Sequence, residues 1–398
     1  MWITVHGKNS TEIDDDVVRR ILNIYPEEYL ENRDIFQEAF TKGSISINDL
    51  KSESEKILIP WQMFFLTQAN FNAQMKHIDA QRHHKLSPKI VAKRKGAGDV
   101  TSKRIIDRLI RQQNFLTSLS TFPKNTFCGS LKGVSMNAAV QTILSHFDID
   151  REVIWRYTSK GKALQYLIGQ VESKNINVSR GVLTNKLLPT YKVVSSDVYR
   201  GTSGFVIRDD YVPFIFLPSE INPDEVESRQ IYTLIYLLAI IGLEQYGYFL
   251  DKDFKAKMLS ATGVSKKLHD ITTEFLIPKQ ATEYLRGLNI TEEMRDTLAY
   301  KFKVSPSALI VTLRMRGIIS NPVYESLKPP QQPPLKKKSQ MRPPKISTSV
   351  EKFCGQISYR SINTAIQNRV LPAIQAQYLI FGAVNKKGYK KYRNELGI

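Results

Sequence analysis

Cysteine is scarce in this 398-residue chain: Cys128 and Cys354 are the whole complement. Two thiols so far apart in sequence give no disulfide framework and no CxxC metal pair, and they suit a reducing cytoplasm. Glycine-rich phosphate cradles of the forms GxxxxGK[ST] and GxGxxG are missing, as is the GxSxG nucleophile elbow. The opening residues, MWITVHGKNSTEIDDD, lack a basic stretch followed by an apolar one, so no secretory leader is expected. No apolar run approaches the about 20 residues that a membrane span needs. The expectation is a cytoplasmic protein with no membrane partner and no cofactor.

What the chain does have is one uncharged stretch and a large excess of positive charge. Ile231 to Leu243, within RQIYTLIYLLAIIGLEQYGYFL (Arg229–Leu250), holds only apolar residues, Tyr, Thr and Gly. Too short to span a bilayer, it reads as a helix buried on all sides, the centre of the main domain. The net charge is +19, and it is concentrated. Arg82 to Arg111 carries ten Lys/Arg against Asp99 and Asp107; Lys328 to Ile398 carries fourteen against Glu351 and Glu395. Such clustering favours a polyanion such as nucleic acid, though charge alone supplies only non-specific affinity and equally describes a solvated linker. The candidate phosphate contacts are Lys93, Arg94 and Lys95; Lys336, Lys337, Lys338 and Arg342; and Lys386, Lys387, Lys390, Lys391 and Arg393. In the tail, Tyr359, Tyr378, Phe381, Tyr389 and Tyr392 interleave with the last group of cations as candidate stacking platforms for bases; the alternative makes Tyr359, Tyr378 and Phe381 the core of a small module.

The fold expected is α+β and mostly helical, with a small antiparallel sheet packed on the buried central helix and helical modules at both ends. Residues 1–70 read as short helices, with Trp61, Phe64, Phe65 and Leu66 as a core plug. Residues 71–160 read as a basic linker and helices: Asn70–Gly98 as an extended crossing in which Leu86–Lys89 opens a helix, then helices over Val100–Leu119, Ser135–Phe147 and Asp150–Trp155. Residues 161–327 form the main domain, with a helix over Lys160–Ser173 and strands at Asn175–Val178, Lys192–Val198, Gly204–Arg208 and Val212–Leu217. The last two strands are joined by a turn at Asp209–Tyr211. Helices follow at Ser265–Glu274, Lys279–Gly287, Thr291–Phe302 and Ser307–Arg316. Residues 328–348 are Pro/Lys-rich and read as a semi-rigid linker, and 349–398 as a small helical module. The run Asp14-Asp15-Asp16 reads as a helix start.

The order of these pieces resembles the ImmA/IrrE-type metallopeptidases, zinc-dependent proteins that cut phage and stress repressors. The similarity is carried by KGSISINDLKSESEKILIPWQMFFL, which looks like the end of a helix-turn-helix remnant, and by Lys85–Pro88 with Arg111-Gln112-Gln113-Asn114-Phe115-Leu116. It continues in Phe216-Leu217-Pro218 before Arg229 and Tyr232-Thr233-Leu234, in Phe275-Leu276-Ile277-Pro278, in Lys301–Pro306 through Leu313 and Gly317-Ile318-Ile319, and in Cys354–Asn385. The resemblance implies a zincin-like domain over 161–327.

The chemistry of that family is not spelled here. HExxH holds zinc because positions i and i+4 share one helix face, with the Glu acting on bound water. On the matching register Tyr236 stands for the first His, Leu237 for the Glu and Ile240 for the second His. The third ligand falls at Lys267, or at Lys266 or Leu268. His6, His77, His83, His84, His146 and His269 include no HxxxH pair, and His269, on a polar helix, reads as a surface residue. The resemblance therefore implies a scaffold without its metal and without catalysis: a regulatory protein that binds a repressor or similar partner in phage, toxin–antitoxin or stress control. The alternatives are a nucleic-acid-binding regulator and, remotely, a zinc peptidase with other ligands.

Overall fold

The structure is a computed structural model. It describes residues 2–7, 9–23, 34–56, 61–85, 97–119, 121–181, 204–218, 223–246, 262–329, 345–382 and 385–398. The strand expected at Lys192–Val198, the helix start at Leu86–Lys89 and most of the Pro/Lys-rich linker lie outside these residues.

The N-terminal part holds short helices, as expected, and adds a sheet not foreseen from sequence. Strand β1 (Trp2–His6) pairs antiparallel with β2 (Thr11–Asp14) and parallel with β3 (Ser44–Ser46). WITVH alternates, burying Ile3 and Val5 while Trp2 and His6 face solvent, which is the period of a half-buried strand. Against this sheet lie α1 (Asp15–Asn23), α2 (Asp34–Lys42) and α3 (Ile47–Lys56). Asp14 Oδ1 accepts the Asp16 amide at the start of α1, and Ser46 Oγ accepts the Asp49 amide at the start of α3. The aromatic plug is a single 3-10 turn, Trp61–Phe65, whose buried Phe64 stacks on Phe36. Next, α4 (Gln68–Lys85) replaces much of the extended crossing expected from Asn70. Phe71 is buried in the N-terminal core and Met75 packs against it one turn on.

The main body is a mixed three-stranded sheet between two helical layers. Its strands are β4 (Asn177–Arg180), β5 (Phe205–Ile207) and β6 (Phe214–Leu217), in the order β4-β6-β5. β5 and β6 form the expected antiparallel hairpin, and Asp209 Oδ1 accepts the amides of Tyr211 and Val212 to make the turn. β4, however, runs parallel to β6, which corrects the all-antiparallel expectation. β6 reads FIFL, with every residue buried; a run without polar alternation belongs to a strand covered on both faces.

One face, with Val178, Val206, Ile215 and Leu217, joins the larger core. That core holds α6 (Met136–His146), α7 (Arg151–Arg156), α8 (Lys160–Glu172), the central helix α9 (Pro223–Leu243) and α10 (Gly263–Leu276). It also holds α11 (Glu292–Lys301), α12 (Pro306–Met315) and the short α13 (Asn321–Ser326). The helix expected at Lys279–Gly287 is instead one 3-10 turn, Glu283–Leu285.

The opposite face presents Phe205, Ile207, Phe214 and Phe216 to a second core, shared with α5 (Ala97–Ser118) and the C-terminal helices. These are α14 (Ile346–Cys354), α15 (Gln356–Gln367), α16 (Ala373–Phe381) and α17 (Lys386–Leu396). Buried polar groups fasten this layer. Asn177 Nδ2 donates to the Cys354 carbonyl at 2.7 Å, and its Oδ1 accepts the Ser358 amide at 3.0 Å. Gly355 sits at φ 81°, where an added Cβ would stand 2.7 Å from the Asn177 amide, so only glycine fits the junction. Glu172 Oε1 accepts the amides of Val178 and Gln356, while burial pushes its carboxyl up to about 7. The Arg-Gln run singled out in the sequence lies here. Gln113 donates to the carbonyls of Ile207 and Val212, and Gln112 to that of Leu379. Both cysteines are free.

Candidate functional site

Two places stand out, and they differ in kind. The first is the middle of α9. The helix begins at Pro223, a residue favoured in a first helical turn. From Ile231 to Leu243 every residue is buried. Tyr236, Leu237 and Ile240, the positions aligned with the zinc motif, are core residues, and Leu237 is fully enclosed at 0% exposure. An added Cβ on Gly204 would lie 2.7 Å from Thr233 Cγ2 and 3.1 Å from Leu237 Cδ1. The hairpin therefore rests directly on this helix.

Across from Tyr236 stands α10, where, of the positions aligned with the third ligand, Leu268 is fully buried and Lys266 is exposed. Lys267, aligned with the third ligand, turns away: its Nζ donates to the Val134 carbonyl at 3.1 Å. The residue that meets α9 is His269, only 3% exposed, which overturns its reading as a surface histidine. Its Nδ1 shares a 2.9 Å hydrogen bond with the Tyr232 hydroxyl, and its ring lies 5.0 Å from that of Tyr236. Burial drives the imidazole pKa down to about 4 and the Tyr232 phenol well above its ordinary range. A neutral histidine between two tyrosines fills this space and satisfies its polar atoms. The signal was present in α10, where Leu268, His269, Ile271, Thr272, Phe275 and Leu276 fall on one helical stripe. Among the described residues no group of three His, Cys, Asp or Glu is placed to hold a metal ion.

The second place is the exposed side of α17. Asn385 caps this helix by accepting the Gly388 amide at 2.8 Å. Gly388, Tyr389 and Tyr392 point inward, and the Tyr392 hydroxyl donates to Asn363 Oδ1 at 2.6 Å. Lys386, Lys387, Lys390, Lys391 and Arg393 are all exposed. At 100° per residue they share one arc of the helix, about 160° wide. Arg393 also donates through Nε to the Ile398 main-chain oxygen. The aromatics of the tail do not join this face. Phe381, Tyr389 and Tyr392 are buried, Tyr359 packs edge-on against Tyr392, and Tyr378 is half-buried. They are the core of the layer, not base-stacking platforms.

Comparison with protein-family models, with curated proteins and with solved structures finds no match to this chain.

Of the other cations proposed from sequence, Lys93, Arg94, Lys95, Lys336, Lys337, Lys338 and Arg342 lie outside the described residues. Within the first basic run, Arg108 serves the fold. It is buried, stacks 3.8 Å above the Phe353 ring and donates to the Leu379 carbonyl. Among the described residues no helix is long and apolar enough to cross a membrane.

Proposed function

We propose that this chain is a non-catalytic regulatory protein that holds nucleic acid through the exposed face of α17, by its phosphates rather than its base sequence. The observation that carries the reading is the arc of Lys386, Lys387, Lys390, Lys391 and Arg393 on one ordered helix, backed by a core that leaves them all at the surface. From Lys386 to Arg393 the axis advances about 10 Å, enough to neutralise several phosphates and release their counterions. With the tyrosines turned inward, affinity rests on charge and falls steeply with salt.

The test is a salt titration of binding to duplex DNA and RNA. The chain with Lys386, Lys387, Lys390 and Lys391 all changed to Glu is compared with the unaltered chain. Each phosphate contact adds roughly −0.9 to the log–log slope for duplex DNA, so the slope flattens by about 2–4 in the variant. An unchanged slope sinks the reading. Charge substitution is preferable to truncation at Leu327, which would strip α14–α17 from the sheet.

A second reading, binding of a protein partner by an inactive peptidase-like scaffold, is favoured by one observation. Tyr236 and His269 face each other across α9 and α10 where the ImmA/IrrE resemblance leads one to look for ligands, and Leu237 and Ile240 offer only apolar atoms beside them. Elemental analysis tests it. Zinc well below one per chain is expected; one zinc per chain, lost on His269→Ala, would overturn it.

A further inference from the structure

α10 has a second side. While His269 and its neighbours face the core, Lys266, Asp270 and Glu274 line a cleft of about 810 Å³. Its other walls are the turn through Lys279, Glu283 and Arg286 and the end of α12 with Arg314, Met315 and Arg316. This volume falls in the range of pockets that enclose a small ligand or a few side chains of a peptide.

The charges of the cleft sort into those that build it and those that face outward. Arg316, with a side chain 11% exposed, binds Glu274 at 3.0 Å, the Ile277 carbonyl at 2.5 Å and Thr282 Oγ1 at 3.1 Å. That pair is committed to the fold. Arg286 and Glu283 meet at 2.6 Å on the rim. Set aside these two neutral pairs, and Lys266, Lys279 and Arg314 remain against Asp270. Lys266 and Lys279 are exposed. Apolar surface is supplied by Met136 and by Met315, whose unbranched thioether side chains adapt to varied partners. Tyr284 stands exposed in the same turn as Glu283.

Spaced carboxylates on a backbone with an apolar side chain between them fit this lining well. We infer that the cleft docks an acidic peptide segment of a partner protein, with its carboxylates against Lys266 and Lys279 and an apolar side chain on Met136 and Met315. The inference is independent of the α17 face.

The experiment selects a displayed random-peptide library on the full chain and measures the enriched peptides by fluorescence anisotropy. The expected sequences carry Asp or Glu around an apolar residue. Their affinity falls about tenfold on Lys266→Glu with Lys279→Glu, two reversed rim contacts, and falls again on Met315→Ser. All three positions reach solvent, so the variants fold, and circular dichroism checks that. Lys42→Glu, a charge reversal at an exposed position outside both the cleft and α17, leaves peptide binding unchanged. The proposal is overturned if no peptide is enriched, if enriched peptides lack acidic residues, or if they bind the Lys266/Lys279 variant equally. It is also overturned if a short single-stranded oligonucleotide occupies the cleft through the same two lysines.

Discussion

α9 and α17 differ in which of their faces meet solvent. Along Ile231–Leu243 of α9 no side chain does, so each of its residues is chosen by its neighbours in the core. In α17 Gly388, Tyr389 and Tyr392, with Glu395 accepting the Ser347 amide, anchor the helix, and the opposite arc projects cations. Substitutions in the first helix report on packing, and those in the second on partners. Where a sequence resembles an enzyme, the fully buried helix draws attention first. In this molecule the helix with an exposed face is the one on which the proposed function rests.

The contrast can be broken from either side. Leu237→Ala removes a completely enclosed side chain beneath the hairpin. It lowers unfolding free energy by about 2–5 kcal/mol, measured by denaturant titration, and leaves nucleic-acid affinity unchanged below the transition. A loss under about 1 kcal/mol would mean that α9 is less enclosed than described. The four-lysine change on α17 behaves oppositely: the salt slope flattens as given above, while stability moves by no more than about 2 kcal/mol, about 0.5 for each surface substitution. Should both quantities fall together, the lysines also support the fold and the comparison fails.

A smaller effect sharpens the picture of α9 through pH. His269 has a folded-state pKa of about 4, below the 6.5 of a free imidazole. A proton therefore binds the unfolded chain more readily. The stability held by neutral His269 is full above pH 6.5 and is lost as pH falls from there through about 4. The loss is on the order of 1–3 kcal/mol. Glu172 works the other way: its raised carboxyl adds stability as pH falls from about 7 toward 4.5. The difference between the unaltered chain and His269→Gln isolates the histidine, since Glu172 is common to both. A difference curve that is flat between pH 6.5 and 4 would place His269 in contact with water.

Much of the fold was legible from local signals. α6, α7, α8, α11 and α12 fall within a residue or two of their expected limits, because each joins an amphipathic repeat to a capping side chain at Ser135, Asp150, Ser159, Thr291 or Ser305. β1 was missed although Trp2–His6 alternates, since five residues give little periodicity to count. α4 was missed because its large apolar positions in the sequence, Phe71, Met75 and Ile78, are few and set among polar residues. The parallel pairing of β4 with β6 lies beyond local reading, for nothing within Asn177–Arg180 specifies the direction of its partner. At the candidate sites the α17 cations were legible as charge, and the structure added that they share one face. Tyr389 and Tyr392 read as stacking platforms because they alternate with cations in the sequence, and their burial corrects that reading. His269 was misjudged because Lys266, Lys267 and Asp270 around it made the helix look polar, whereas their side chains leave on the other sides of α10.

The second helical layer bears on how this polypeptide is made. Phe205, Ile207, Phe214 and Phe216 belong to strands synthesised well before residues 346–398, which cover them. Until those later residues leave the ribosome, α5 is the part of that layer already made, and an aromatic sheet face waits for the rest. Contacts that join such distant stretches slow folding and prolong the exposure of apolar surface. The half-made chain is thus the form most in need of a chaperone, and a stall or nonsense codon before Ile346 would yield a sticky fragment rather than a shorter working protein.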